Sequence, residues 1–245
     1  AAGVPVPERV DGPGPGALRV AGKPTAVFRV LGGDEVCQAL VDARRAAAVG
    51  RLLAEAHAAG ADFPRRRAGR FTFADVRRRL DEVAALDRPE LRRALDRLAE
   101  TLAATAGAWD AKLPSGVIHG DLFRDNVRWE GHRIVGALDW ESASDGLYVY
   151  DLAVAILAWC FGDELEWDLA RALVRGYAAV RPLEARERAF LRTALRAAAA
   201  RFTITRITDY HLRAGSDQVH KDWRRFAARL EAVEALDNEA VAARP

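Results

Sequence analysis

The residues best able to do chemistry lie in one short stretch, Val117-Ile-His-Gly-Asp-Leu-Phe-Arg-Asp-Asn-Val127, followed by Ala137-Leu-Asp-Trp140. Phosphoryl transfer needs a carboxylate to orient and deprotonate an attacking hydroxyl, and oxygen ligands to hold Mg²⁺ against nucleotide phosphates. Asp121 suits the first task; Asn126 and Asp139 suit the second. Any one of these residues alone could be a turn or surface residue. Asn126, however, is one of only two asparagines in the chain, with Asn238, and falls at the required position with Asp139 following. The combination favours a site.

The neighbouring residues have two readings each. His119 is a proton shuttle or a packed framework group, and framework is favoured. Arg124 and Asp125 face substrate or solvent, Asp125 more simply as a turn residue. Glu141 either assists the metal beside Asp139 or lies on the surface. Asp151 opens an apolar helix, where it caps the N-terminus, holds the Asp121 loop through its backbone N–H groups, or does both. Trp159 reads as core, with a substrate-pocket wall as the lesser alternative. Arg201 and Arg206 sit among apolar residues, and a buried arginine needs an anion. Asp209 is the favoured partner, a substrate carboxylate the other. His132 is expected at the surface without a partner.

The elements that must position these groups can be sketched from pattern. Residues 1–16 read as a loop. Two β-type runs, 17–20 and 24–31, follow around a turn, and Gly32-Gly33 ends the second. Asp42 can start a helix running to His57 or Gly60, and 61–70 is an irregular basic connection. Asp87-Arg-Pro-Glu90 resembles a capping box, with Leu91, Leu95, Leu98 and Leu102 forming one stripe behind it. Short strands at 117–118 and 127–129 flank the loop, and a hairpin through 134–138 delivers Asp139. From Tyr150 onward the pattern is helical, in segments near 151–161, 165–180, 184–213 and 221–236.

Composition bounds the answer. The chain of 245 residues is half hydrophobic, enough for a full core. A formal net charge of +2 gives no footprint for nucleic acid, and no stretch has the length of a membrane-spanning helix. Cys37 and Cys160 are expected to be buried, reduced thiols, which points to the cytoplasm. Lysine is scarce: only Lys23, Lys112 and Lys221 occur.

His119-Gly-Asp-Leu-Phe-Arg-Asp-Asn126, Leu138-Asp-Trp140 and Tyr150-Asp-Leu-Ala153 resemble the signatures of the aminoglycoside-phosphotransferase-like kinases, a branch of the protein-kinase-like fold. Ala158-Trp-Cys-Phe161, Arg175-Gly-Tyr177, Val180-Arg-Pro-Leu183, Arg201-Phe202 and Thr205-Arg206 narrow the resemblance to homoserine kinases of this type. The resemblance implies an α+β, protein-kinase-like fold, with a partial small lobe of two strands and a hinge in residues 1–33 and a mostly helical catalytic lobe in 34–245. It implies ATP and Mg²⁺ as cofactors, a small-molecule alcohol as partner, and O-phosphorylation of homoserine, a step in threonine biosynthesis. Asp121 would be the base, Asn126 and Asp139 the metal ligands, Asp151 the organiser of the loop, and Val30, Leu31 and Gly32 the hinge against adenine. Two departures accompany it. Trp140-Glu-Ser-Ala-Ser-Asp145 is closer to kinases of amino alcohols and sugars. No lysine stands where the family's phosphate-pairing lysine should, so a chain lacking the front of its small lobe is expected, with exposed strand edges that favour association. A non-catalytic, ligand-binding relative is the alternative from another class.

Overall fold

The computed structural model describes residues 3–11, 18–213 and 221–237. Residues 1–2 and 12–16 of the loop expected over 1–16, Ala17 of the expected first strand, and Asn238 fall outside the described residues.

Among the described residues near the N-terminus, four short strands form two small antiparallel pairs. β1 (Arg9–Val10) pairs with β4 (Val27–Phe28), and β2 (Leu18–Val20) with β3 (Lys23–Thr25). The single strand expected over 24–31 is therefore broken into two, and its partner comes from the segment expected to be loop. These strands are almost wholly exposed, so no core fixes a long continuous ladder.

The rest is helical around a central element. Helix α1 (Ala43–Ala59) starts where Asp42 caps it, the side chain accepting from the Arg45 N–H. It packs on α5 (Trp167–Ala178) at unusually close range. A Cβ on Gly50 would lie 1.9 Å from the Leu173 carbonyl oxygen, so only glycine allows this approach. Helix α4 (Tyr148–Trp159) is buried from Leu152 to Trp159 without a break, as suits a helix apolar on all sides. Helix α6 (Ala185–Arg206), continued by a π-helical turn over Ile207–His211, packs on it, and α2 (Phe73–Ala84), α3 (Arg92–Gly107) and α7 (Arg224–Glu234) pack on α6.

Helix α2 has no counterpart among the expected elements, although Thr72 and Asp75 form a true reciprocal capping box before Val76, Leu80 and Val83. The box expected at Asp87 does not form. Asp87 takes a left-handed φ of 44°, Pro89–Leu91 makes a 3₁₀ turn, and α3 begins only at Arg92. The stripe of Leu91, Leu95, Leu98 and Leu102 is buried as expected. Cys160 is buried but Cys37 is exposed, because the segment before α1 is extended and 3₁₀ rather than part of that helix.

Two hairpin-like pairs carry the chemistry. β5 (Ser115–Ile118) pairs antiparallel with β8 (Ser144–Leu147), and β6 (Val127–Glu130) with β7 (Arg133–Ala137). The loop of 119–126 leaves β5 and enters β6, while Asp139 leaves β7. Among the described residues no helix is long and apolar enough to cross a membrane.

Candidate active site

The loop is shaped by hydrogen bonds to buried groups. Asp151, fully buried in the first turn of α4, accepts the His119 N–H at Oδ2 (2.7 Å) and the Gly120 N–H at Oδ1 (2.8 Å). It is not an N-cap; it organises the loop. Gly120 takes φ 74°, which lets successive N–H groups face the same carboxylate. His57 adds a third donor, Nε2 to Asp151 Oδ2 at 3.0 Å. Because a carboxylate only accepts, His57 Nδ1 is the acceptor of the Tyr177 hydroxyl proton at 2.8 Å. Tyr177 in turn accepts from Arg181 at 3.2 Å, and Arg181 forks onto the buried Glu187. Burial pushes the Asp151 carboxyl up, but the hydrogen bonds from His57 and the Gly120 N–H hold it below the usual carboxylate range.

His119 itself is spent on the framework. Its Nε2–H donates to the Leu138 carbonyl (2.9 Å) and its Nδ1 accepts the Asp121 N–H (3.2 Å), which fixes the neutral tautomer. It also lies against Trp140, ring centroids 4.6 Å apart. With both nitrogens engaged it has no free atom to shuttle a proton.

Asp121 stands at the rim of a polar cavity of about 460 Å³, shared with Asn126, Asp139, Arg201, Arg206 and Asp209. Asn126 donates its amide N–H to the Asp121 carbonyl (2.8 Å), so its side-chain oxygen is left for a ligand. The Leu138 N–H donates to the Asn126 carbonyl (2.8 Å), tying the end of β7 to the loop. Asp139 follows in a left-handed conformation, φ 58°, uncommon for a residue with a side chain. Arg201 donates to the Gly120 carbonyl (2.8 Å), reaches Asp121 Oδ1 at 3.7 Å, and is sandwiched between the Phe71 and Phe202 rings. Burial raises the Asp121 carboxyl above its ordinary value, against the opposing pulls of the charged Arg201 and Lys221. A raised carboxylate is a better proton acceptor.

Asn126 and Asp139 offer one amide and one carboxylate oxygen. Among the described residues no group of three or more His, Cys, Asp or Glu is gathered to enclose a metal. That donor set fits Mg²⁺, which keeps most of its shell for waters and phosphates, and not an all-protein cage.

Several sequence readings change. Arg124 turns away from the cavity, donating to Gln38 Oε1 (2.7 Å) and to the Ala158 carbonyl. Trp159 is fully buried with its indole N–H on the Leu122 carbonyl (2.8 Å), so it underpins the loop and walls no pocket. Glu141 lines the cavity with an exposed side chain paired to Arg70 at 3.2 Å. Asp209 pairs with Arg79 at 2.7 Å, not with Arg201 or Arg206. His132 has a partner after all, Asp42 at 3.1 Å, because the β6–β7 turn reaches the start of α1. Val30 is exposed. Leu31 covers Gly136 of β7, and Asp34 exchanges backbone hydrogen bonds with Trp129 at 2.9 Å each way, so segment 30–34 runs along β6 and β7. Sequence reasoning missed Phe71, Arg79 and His57. His57 lies four residues beyond Leu53 on the apolar stripe of α1, where nothing local distinguishes it from core.

Comparison with known proteins identifies the family. A phosphotransferase enzyme family profile matches residues 1–190. A homoserine kinase of Methylobacterium radiotolerans is 39% identical over 241 residues, covering 94% of this chain and 72% of the relative. A homoserine kinase of Beijerinckia indica is 40% identical over 201 residues, 78% of this chain and 60% of the relative. The chain thus spans between 60% and 72% of the length of these curated relatives. Among solved structures, an amicoumacin kinase in complex with AMP-PNP, Ca²⁺ and Ami superimposes with TM-score 0.71 at 15% identity, covering 97% of this chain and 76% of that one. A choline/ethanolamine kinase family protein from Mesorhizobium loti gives 0.65 at 19%, covering 98% and 76%. These two likenesses speak to the fold.

Proposed function

Because the chain belongs to the phosphotransferase enzyme family, we propose that it transfers the γ-phosphoryl group of ATP to the hydroxyl of a small molecule, and that the acceptor is homoserine. The observation that carries this reading is the convergence of Asp121, Asn126 and Asp139 on one polar cavity. The acceptor is supported by the homoserine kinases to which most of the chain is similar.

In this reading Asp121 orients the acceptor hydroxyl and takes its proton. The freed oxygen attacks the γ-phosphorus in line, the bond to the β–γ bridging oxygen breaks, and ADP leaves. Asn126 and Asp139 would hold Mg²⁺, which supplies charge neutralisation at the phosphates when bound. Arg201 keeps Asp121 in place through the Gly120 carbonyl and the carboxylate itself. Asp151 and His57 keep the loop backbone rigid, so that positioning need not be re-established at each turnover. Val30, Leu31 and Gly32 would present backbone groups to adenine, within a small-lobe and hinge unit of residues 1–33 set against a catalytic lobe from 34 onward. A cytoplasmic location belongs to the same proposal.

The test is a panel of homoserine, choline, sugars and aminoglycosides with coupled ADP detection. Homoserine-dependent ADP release is the expected result. Turnover of another member without homoserine would end the acceptor assignment, and ADP release with none of them would end the kinase reading.

A further inference from the structure

The cavity around Asp121 is rich in cations, and most of them already have anions. Arg201 faces Asp121 at 3.7 Å, Arg79 faces Asp209 at 2.7 Å, Arg70 faces Glu141 at 3.2 Å, and Lys221 faces Asp125 at 3.5 Å. Arg206 differs. It is only 9% exposed, yet its contacts among the described residues are the Asp222 carbonyl at 3.2 Å and the Phe226 ring at 4.4 Å, with no carboxylate. Burial together with the nearby Arg225 pulls its pKa down to about 10, so it still carries its charge at neutral pH. Asp121 and Asp125 act on it only from a distance, and a buried guanidinium with no carboxylate in direct contact among the described residues is suited to receive an anion.

A second feature lies one turn further on. Asp209 lines the same cavity, and both Arg79 and Thr208 donate to its Oδ1. Its Oδ2 has no hydrogen bond among the described residues. Arg206, at the end of α6, and Asp209, in the π-helical turn that follows, line the same cavity. Among the described residues the pair offers the guanidinium N–H groups not given to Asp222 beside the Oδ2 of Asp209, the complement of a zwitterion.

We infer that Arg206 grips the carboxylate of the acceptor and Asp209 its ammonium group, leaving the acceptor hydroxyl to reach Asp121. This rests on the kinase reading above and makes Arg206 the residue that separates amino-acid alcohols from amino alcohols. An alternative anion for Arg206 is a nucleotide phosphate, and the two are distinguishable by which substrate responds.

The test compares L-homoserine with 3-amino-1-propanol, the same molecule without its carboxylate, in the intact enzyme and in Arg206→Gln and Arg206→Lys. The wild type should prefer homoserine in kcat/KM, and Arg206→Gln should raise the homoserine KM by roughly tenfold to a hundredfold, as for loss of a hydrogen bond to a charged group. The preference between the two acceptors should collapse, while KM for ATP stays within about twofold. Arg206→Lys, which keeps charge but not the fork, should fall between. Equal losses on both acceptors, or a rise confined to KM for ATP, would overturn the inference while leaving the kinase reading intact. If no alcohol is phosphorylated at all, calorimetric binding of L-homoserine still decides it: at least tenfold weaker binding in Arg206→Gln supports the contact, and unchanged binding overturns it.

Discussion

Replacing Asp151 by Asn should expose how much the loop depends on one carboxylate. The two oxygens of Asp151 receive three donors, from His119 N–H, Gly120 N–H and His57 Nε2. Asparagine has one oxygen and one NH₂ group. With its oxygen placed at Oδ2, the amide nitrogen confronts the Gly120 N–H; placed at Oδ1, it confronts the His119 N–H. At least one buried donor is then left unsatisfied, at about 1–3 kcal/mol, and the surviving bonds weaken from charged to neutral acceptor by about 1 kcal/mol. A total near 3 kcal/mol is a large share of the roughly 5–15 kcal/mol expected for a folded domain. At this size it should lower Tm by about 6–12 °C. The displaced loop should also cost on the order of 100-fold in kcat. The pH dependence gives a sign. The folded Asp151 pKa is depressed, so its stabilisation is fully present above the unfolded value of about 3.9 and is lost as pH falls through the lower folded value. Calorimetric scans should therefore show a constant Tm gap between wild type and variant from neutral pH down to about pH 5, narrowing only below about pH 4. A gap under 3 °C, or one that closes between pH 8 and 6, would refute the reasoning; the latter would place the titration elsewhere than on Asp151.

The chain of Tyr177, His57 and Asp151 predicts that Tyr177→Phe loses about 1 kcal/mol of stability, and that its catalytic effect falls on kcat more than on KM, read by steady-state kinetics alongside thermal unfolding. Gly50→Val should destabilise by about 3 kcal/mol or more, because even its Cβ would overlap the Leu173 carbonyl; a near-native Tm would mean that α1 and α5 are not packed as described. Because burial raises Asp121, the acid limb of kcat/KM against pH should lie above the ordinary aspartate value of about 3.9, activity being lost as pH falls through the raised value. A limb at or below that value would remove the desolvated base from the account.

The convergence of Asp121, Asn126 and Asp139 on one cavity was legible because their spacing is local. Asp121, Asn126 and Asp139 are separated by short runs that leave little freedom in where a strand–loop–strand and a hairpin can put them. The buried stripes of α3 and α4 were legible for the same reason, periodicity being a property of adjacent residues. Long-range partners were not. Whether Asp209 meets Arg79, Arg201 or Arg206 depends on how α2 packs against α6, and nothing in Arg201-Phe-Thr-Ile-Thr-Arg206 encodes that choice. His57 looked like one more member of an apolar face, and its role appears only when α1, α4 and α5 meet. At Asp87 a good local signal lost to backbone geometry, as the left-handed φ at Asp87 and the following 3₁₀ turn moved the helix start past the box.

The most direct test of the central claim follows phosphorus. ATP, Mg²⁺ and homoserine are incubated with the intact enzyme and with Asp121→Asn, and the ³¹P spectrum is recorded over time. The account predicts a phosphate monoester of the acceptor growing in step with ADP in the wild type and none above background in the variant. Monoester formation at the wild-type rate without the Asp121 carboxylate would contradict it.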